Sequence, residues 1–199
     1  MKRIIFIAIA ALGFVVVATV GRYYLMGGHA GEAGSARSVG IGGPFELTDN
    51  TGKVVTDKDY RGKYMLVYFG YTYCPDVCPT SLSIISQALD QLAPEQLDKV
   101  LPIFITVDPE RDTVEAMADF VPNFHDKLIG LTGTLEQTKA VARAYKAYYA
   151  KVDEDDPDGN YLMDHSSFTY LMGPDGKYVA HFSHGTTPEV MAKRLAEIL

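Results

Sequence analysis

Two cysteines, Cys74 and Cys78, are the side chains best suited to chemistry in this sequence of 199 residues. They are its only cysteines, and they lie in the segment YCPDVCP. On a helix, residues i and i+4 share one face, with their Cβ atoms about 5–6 Å apart. Two sulfurs at this spacing can bind one soft metal ion, exchange with another disulfide or close an inert bridge. The spacing leaves these three interpretations open.

Histidine is the other common ligand for soft metal ions, and the sequence contains five. His165 directly precedes a predicted strand, at the point where the chain would enter a sheet beside the cysteines. Asp164 or another acceptor could then fix the tautomer of its imidazole. The pattern alone does not decide whether His165 is a ligand. The other histidines are expected to be surface residues: His29, His125, His181 and His184.

The elements that would position these side chains alternate between strands and helices. Apolar runs at residues 64–69 and 100–107 predict two buried strands, and Pro102 suggests an edge position or an irregular start for the second. Apolar residues at helical spacing predict a helix over residues 79–92. The cysteines therefore lie where a strand gives way to a helix. Reactive groups of α/β proteins collect at this end of a sheet, and a helix N-terminus favours a thiolate.

Turn and capping motifs extend the pattern to the rest of the chain. The segments DNTG at residues 49–52 and GPDG at residues 173–176 predict two hairpins. Capping boxes at residues 134–137 and 186–189 predict two more helices, the first of which would run to about Tyr148. Together these patterns predict an α/β domain with a mixed central sheet and helices on both faces.

The N-terminal segment predicts a membrane anchor. Lys2 and Arg3 precede an uncharged run at residues 4–20, which is longer than the apolar region of a cleavable signal. No good cleavage site follows, so we predict an uncleaved transmembrane signal-anchor over residues 1–26. The positive-inside rule keeps Lys2 and Arg3 in the cytoplasm and places the rest of the chain across the membrane. Gly-, Ala- and Ser-rich residues 27–43 predict a flexible tether, and residues 44–199 are expected to form the folded domain.

Composition narrows the class of protein. Hydrophobic residues make up 47% of the chain and charged residues 22%, which is typical of a globular protein. The formal net charge of −7 argues against binding to nucleic acid, which requires a basic surface. The acidic segment at residues 153–159 predicts an exposed loop rather than a calcium site, because the ligand spacing of an EF-hand loop is missing.

Three blocks of the sequence resemble the signature blocks of the Sco/SenC family. They are FGYTYCPDVCP at residues 69–79, VDPERDT at residues 107–113 and DHSSFTYLMGPDG at residues 164–176. Members of this family are membrane-anchored, thioredoxin-like copper proteins that help to assemble the binuclear copper centre of cytochrome c oxidase. The resemblance covers about residues 43–199 and implies a thioredoxin-like fold for the domain.

The resemblance also implies a copper site made of Cys74, Cys78 and His165. Soft thiolates select Cu(I), whereas imidazole suits both oxidation states, so this ligand set can hold Cu(I) or Cu(II). Asp76 and Asp108 occupy signature positions as well and are expected to support the structure around the ligands. Oxidation of the two cysteines to a redox-active disulfide would remove the metal site.

The implied function is that of a copper metallochaperone held at the cell inner membrane by a single helix. Its domain would lie on the periplasmic side, its main partner would be the copper-binding subunit of cytochrome c oxidase, and a thioredoxin-like reductant would be a further partner. The main alternative is a thiol–disulfide oxidoreductase that reduces the copper-site cysteines of that subunit. Against it, thioredoxin-like enzymes usually have CxxC and a facing cis-proline, but this chain has CxxxC and no proline between residues 158 and 172.

Two further alternatives are less favoured. A peroxidase requires one nucleophilic cysteine and gives no reason for a pair at this spacing. A partner-binding domain with inert cysteines also fits the composition. A metallochaperone is therefore the leading hypothesis, ahead of any enzyme.

Overall fold

A mixed β-sheet forms the centre of the structure, a computed structural model that describes residues 40–152 and 161–199. The strands in chain order are β1 Glu46–Asp49, β2 Val54–Thr56, β3 Tyr64–Gly70, β4 Val100–Thr106, β5 Ile129–Thr132, β6 Tyr149–Val152, β7 Leu162–His165, β8 Thr169–Met172 and β9 Tyr178–Phe182.

Seven of these strands pair in the order β2-β1-β5-β4-β3-β8-β9. Strands β3, β4 and β5 are parallel to one another, and the other pairs of this sheet are antiparallel. Strands β6 and β7 form a separate antiparallel hairpin. The predicted mixed sheet is therefore confirmed, and so are the two predicted hairpins, β1–β2 and β8–β9.

Helices cover both faces of the sheet, as the alternation along β3 shows. Successive side chains of a strand point to opposite faces. The Tyr68 side of β3 faces Cys78 of the first helix, whereas the Phe69 ring lies 5.3 Å from the Tyr145 ring on the other face. Both faces of β3 are consequently buried. The helices are α1 Val77–Asp90, α2 Pro94–Leu97, α3 Val114–Phe120, α4 Leu135–Tyr145 and α5 Pro188–Ile198.

Several local predictions differ from the structure. Pro102 does not mark an edge, because β4 lies between β3 and β5. The β5 register begins opposite Ile103, so β4 has no ladder partner on that side at the proline, whose missing N–H is tolerated there. Helix α4 ends at Tyr145 rather than near Tyr148, because Lys146 adopts the left-handed conformation with φ 56°.

The starts of two helices also differ from prediction. Helix α1 begins at Val77, two residues earlier than predicted, so that Cys78 lies in its first turn. The last helix is capped by Thr187 and not by Thr186, and the Thr187 hydroxyl accepts a hydrogen bond from the Val190 amide. The predicted cap Thr134 is confirmed, since its hydroxyl accepts a hydrogen bond from the Gln137 amide, and Thr113 caps α3 in the same way.

Several of the predicted segments lie outside the described residues. This holds for the anchor at residues 1–26, for residues 27–39 of the tether and for the acidic segment at residues 153–159. Across residues 40–152 and 161–199, none of the helices combines the length and apolar character needed to cross a bilayer. Ile41 packs against the core, and the Gly42 amide donates a hydrogen bond to the Ala144 carbonyl.

Candidate metal centre

The two cysteines and His165 come from three different local structures. Cys74 lies in the loop between β3 and α1, Cys78 in the first turn of α1, and His165 at the last position of β7. Cys78 is fully buried, whereas Cys74 and His165 are partly exposed. The loop after β3 and the start of α1 thus supply Cys74 and Cys78, and the separate β6–β7 hairpin supplies His165.

The candidate ligand atoms converge at one point. The sulfurs of Cys74 and Cys78 and a ring nitrogen of His165 all lie within 4.8 Å of one another. Cys78 Sγ is 3.3 Å from His165 Nε2, and the Cys78 amide donates to Cys74 Sγ at 3.4 Å. In the described part of the chain, this is the set of His, Cys and acidic side chains that is close enough to share a metal ion.

The hydrogen bond made by the far side of the His165 ring fixes its tautomer. Nδ1 lies 3.2 Å from the carbonyl oxygen of Ser166. A carbonyl can only accept, so Nδ1 carries the hydrogen and the lone pair of Nε2 faces the Cys78 sulfur. The acceptor is this backbone carbonyl and not the Asp164 carboxylate suggested by the sequence.

Of the other histidines expected at the surface, His181 and His184 are exposed. The expectation is wrong for His125, whose side chain is 11% exposed with Nε2 3.7 Å from the Asp90 carboxylate.

The two thiols titrate in opposite directions. Hydrogen bonding from the Cys78 thiol lowers the pKa of Cys74 to about 4, with backbone amides adding to the effect against an opposing contribution from burial. The pKa of Cys78 is raised, because its thiol hydrogen-bonds to Cys74 and is buried. At neutral pH the pair therefore holds one proton, with Cys74 as the thiolate. No disulfide joins the two cysteines.

The donor set fits copper. A thiolate, a second sulfur that ionises when a metal binds and a neutral imidazole nitrogen are ligands for Cu(I), and the imidazole also suits Cu(II). A cleft of about 350 Å³ is lined by Cys74 and His165, and its walls also include Tyr71, Leu162 and Met163. A metal ion in this group would remain accessible to the ligands of another protein.

Aromatic rings pack directly behind the ligand group. The rings of Tyr68 and Tyr71 meet the His165 ring edge to face, with centroids 6.1 and 6.0 Å away. The Tyr68 hydroxyl is buried near Cys78 and Ser81 but makes no hydrogen bond of normal length and angle among the described residues. Gly70 leaves room for these groups, because a Cβ at this position would lie 2.7 Å from Cys78 Sγ.

Buried acidic residues hold the loop that carries Cys74. The Asp112 carboxylate accepts hydrogen bonds from the amide and hydroxyl of Thr72 and from the hydroxyl of Thr106. Burial raises the pKa of Asp112. Asp108 forms an ion pair with Arg111. Asp76, by contrast, is exposed at the N-cap position of α1, and its side chain accepts no capping hydrogen bond.

Sequence reasoning missed some of this support. Asp76 and Asp108 were expected to support the structure around the ligands, but Asp112 and Arg111 were not identified as neighbours of the site. The available signal was the VDPERDT block, which places four charged residues after the buried strand β4.

Comparison with known proteins supports the family assignment. The SCO1/SenC family model matches residues 33–199. The SCO2-like protein of Rickettsia conorii is 46% identical over 158 residues, which cover 79% of this chain and 77% of that protein. The resemblance to the Sco/SenC family is therefore confirmed.

Solved structures agree with the fold described above. The structure of Bradyrhizobium japonicum ScoI with copper bound is similar, with a TM-score of 0.73 and 48% identity over 80% of this chain and 99% of that chain. BsSco, described as a member of the Sco family of cytochrome c oxidase assembly proteins with a disulfide switch, has a TM-score of 0.60 and 27% identity over 80% of this chain and 95% of that chain. The thioredoxin-like α/β fold is thereby confirmed. From its sequence match, its fold and its copper-compatible Cys-Cys-His group, we conclude that the chain belongs to the SCO1/SenC family.

Proposed function

We propose that this protein is a membrane-anchored copper metallochaperone that assists assembly of the copper centre of cytochrome c oxidase. The observation that carries the proposal is the convergence of Cys74, Cys78 and His165 within 4.8 Å. Copper bound in the similar ScoI structure, and the assignment of BsSco to a family of oxidase assembly proteins, support it.

Copper is the cargo in this proposal, and each ligand has a distinct role. Cys74 is already ionised at neutral pH and faces the cleft, so it can make the first contact with an incoming ion. Cys78 and His165 complete the binding group. The hydrogen bond from His165 Nδ1 to the Ser166 carbonyl orients the ring so that Nε2 faces the cysteines. The open cleft then lets the cysteines of an oxidase subunit compete for the ion.

Complementation in cells that lack this protein tests the proposal. The full-length chain should restore cytochrome c oxidase activity and the copper content of the oxidase, whereas the double variant Cys74→Ser, Cys78→Ser and the variant His165→Ala should not. His181→Ala is the matched control, because His181 is exposed and lies outside the ligand group. Full oxidase activity with the double cysteine variant would overturn the proposal.

Reduction of a partner disulfide is a second candidate, favoured by the low pKa of Cys74 beside a protonated Cys78. The Cys74 thiolate would attack one sulfur of the partner disulfide and release the other as a thiolate. The Cys78 sulfur, on losing its proton, would then attack Cys74 in the mixed disulfide and release the second partner sulfur. The products are a Cys74–Cys78 disulfide and a reduced partner, and a thioredoxin-like reductant would restore the two thiols.

The two candidates can be separated with one variant. His165→Ala removes a copper ligand but neither sulfur, so it should abolish chaperone function and leave disulfide reduction in place. A reduction potential at which the pair stays oxidised under cellular conditions would exclude the reductase.

We also propose that residues 1–26 anchor the protein in the inner membrane and that residues 27–43 tether the domain on the periplasmic side. Lys2 and Arg3 before the apolar run at residues 4–20 support this orientation. The full-length chain should sediment with membranes and resist alkaline carbonate, and its domain should be digested by protease added to spheroplasts. Recovery in the cytosolic fraction would contradict the proposal.

A further inference from the structure

The β6–β7 hairpin that carries His165 is not part of the seven-stranded sheet. Its strands pair only with each other in the described ladders, from Tyr149 opposite His165 to Val152 opposite Leu162. The pairing of β8 with β3 brings His165 to the end of the sheet where the Cys74 loop begins, but among the described strands no pairing between the hairpin and the core sheet holds the imidazole in place there. Side-chain contacts between the hairpin and the loop that carries Cys74 have to do so.

Arg111 lies at the junction between that loop and the hairpin. Its guanidinium carbon is 3.7 Å from the centroid of the Tyr161 ring, just before β7, and 4.7 Å from that of Tyr73, next to Cys74. A third ring, that of Tyr71, has its centroid at 5.8 Å. One planar cation thus contacts aromatic rings of both segments that supply metal ligands.

Hydrogen bonds fix the orientation of this cation. Arg111 Nη1 donates to the backbone carbonyl of Tyr161 at 2.9 Å, and Nε donates to Asp108. The Asp108 side chain is 1% exposed and also accepts a hydrogen bond from the Tyr161 hydroxyl at 2.7 Å. The Arg111 side chain is itself only 18% exposed. Cation–π contacts are strongest when the cation is desolvated in this way.

We propose that Arg111 is a positioning residue for the metal centre, which clamps the His165 hairpin against the Cys74 loop. The planar guanidinium of arginine can stack on a ring while its N–H groups bond a carbonyl and a carboxylate, a geometry that an ammonium group does not reproduce. The importance of the clamp for copper rests on the proposed function, but its effect on the hairpin exists in the metal-free protein.

Hydrogen exchange in the reduced, metal-free, full-length protein in detergent tests the clamp without copper. Tyr161→Leu removes the ring and hydroxyl that meet Arg111 and Asp108 while keeping an apolar side chain. We expect amides of Tyr149–Val152 and Leu162–His165 to exchange roughly tenfold faster, and those of β3 and β4 to be unchanged. Tyr148→Leu is the matched control, since Tyr148 also adjoins the hairpin but is 62% exposed. Equal exchange rates of the hairpin amides in Tyr161→Leu and Tyr148→Leu would overturn the clamp.

A second variant links the clamp to metal binding. Arg111→Lys keeps the positive charge beside Asp108 and loses the stacking, so the apparent Kd for Cu(II) should rise about tenfold, with a weaker nitrogen signal from His165 in pulsed EPR. An unchanged Kd and nitrogen signal in this variant would overturn the positioning role. Failure of the wild-type protein to bind copper would instead overturn the proposed function, and the exchange experiment would still decide the clamp.

Discussion

Cys78 Sγ and His165 Nε2 lie 3.3 Å apart, although 87 positions separate them in the chain. The topology accounts for this contact. Strand β8 is antiparallel to β3, with Thr169 opposite Tyr68, so the residues just before β8 reach the end of β3 where the Cys74 loop begins. Any fold that kept both strands but changed their pairing would separate the imidazole from the sulfurs.

The low pKa of Cys74 predicts an unusual pH dependence of its reactivity. With a pKa of about 4, Cys74 is fully ionised from pH 6 to pH 8, so its alkylation by iodoacetamide should be nearly constant over this range. An ordinary thiol with a pKa of about 8.5 would react nearly two orders of magnitude faster at pH 8 than at pH 6. Mass spectrometry of the reduced, metal-free protein gives the rate for each cysteine. A steep rise in the Cys74 rate would contradict the assignment of the thiolate.

The contact between Gly70 and Cys78 predicts that Gly70→Ala is harmful. The added Cβ would lie 2.7 Å from Cys78 Sγ and 2.9 Å from Phe104 Cε2, both in the buried core. Overpacking of this kind costs about 1–3 kcal/mol in the free energy of unfolding, which urea denaturation measures. Gly185→Ala is the control, because nothing lies within 4 Å of a Cβ there. Equal stability of the two variants would show that the Cys78 region is looser than described.

The unpartnered hydroxyl of Tyr68 predicts that Tyr68→Phe is well tolerated. A buried donor without a partner costs about 1–3 kcal/mol, so its removal should leave the free energy of unfolding unchanged or raise it. Tyr161→Phe provides the contrast, since the Tyr161 hydroxyl donates to Asp108 and its loss should cost about 1–2 kcal/mol. A loss of more than 1 kcal/mol in Tyr68→Phe would reveal a hydrogen bond to this hydroxyl in solution.

Local sequence patterns predicted much of the fold. The buried strand β3, the helix after the cysteines and the two hairpins all follow from apolar periodicity and turn residues, which act over short distances. Of the two alternatives for Pro102, the edge position was wrong, because whether a strand lies at an edge depends on distant pairing. The β6–β7 hairpin was not predicted at all, since its strands have little apolar alternation and flank an acidic segment.

The candidate site was predictable only in part. The spacing of Cys74 and Cys78 suggested soft-metal chemistry, but nothing local distinguishes His165 from a surface histidine. The residues around the ligands were harder still, because Arg111 and Asp112 act through contacts with Tyr161 and Thr72, which are 50 and 40 positions away. From the sequence alone, only the resemblance to the Sco/SenC family in three separate blocks indicated that these distant segments form one site.

Copper titration of the reduced full-length protein tests the ligand set most directly. We predict one copper per chain, with a thiolate-to-Cu(II) charge-transfer band that is altered or lost in His165→Ala and retained in His181→Ala. Absorption and EPR spectra of the three proteins give the answer. A band that is absent from the wild-type protein, or identical in His165→Ala, would contradict a copper site built from Cys74, Cys78 and His165.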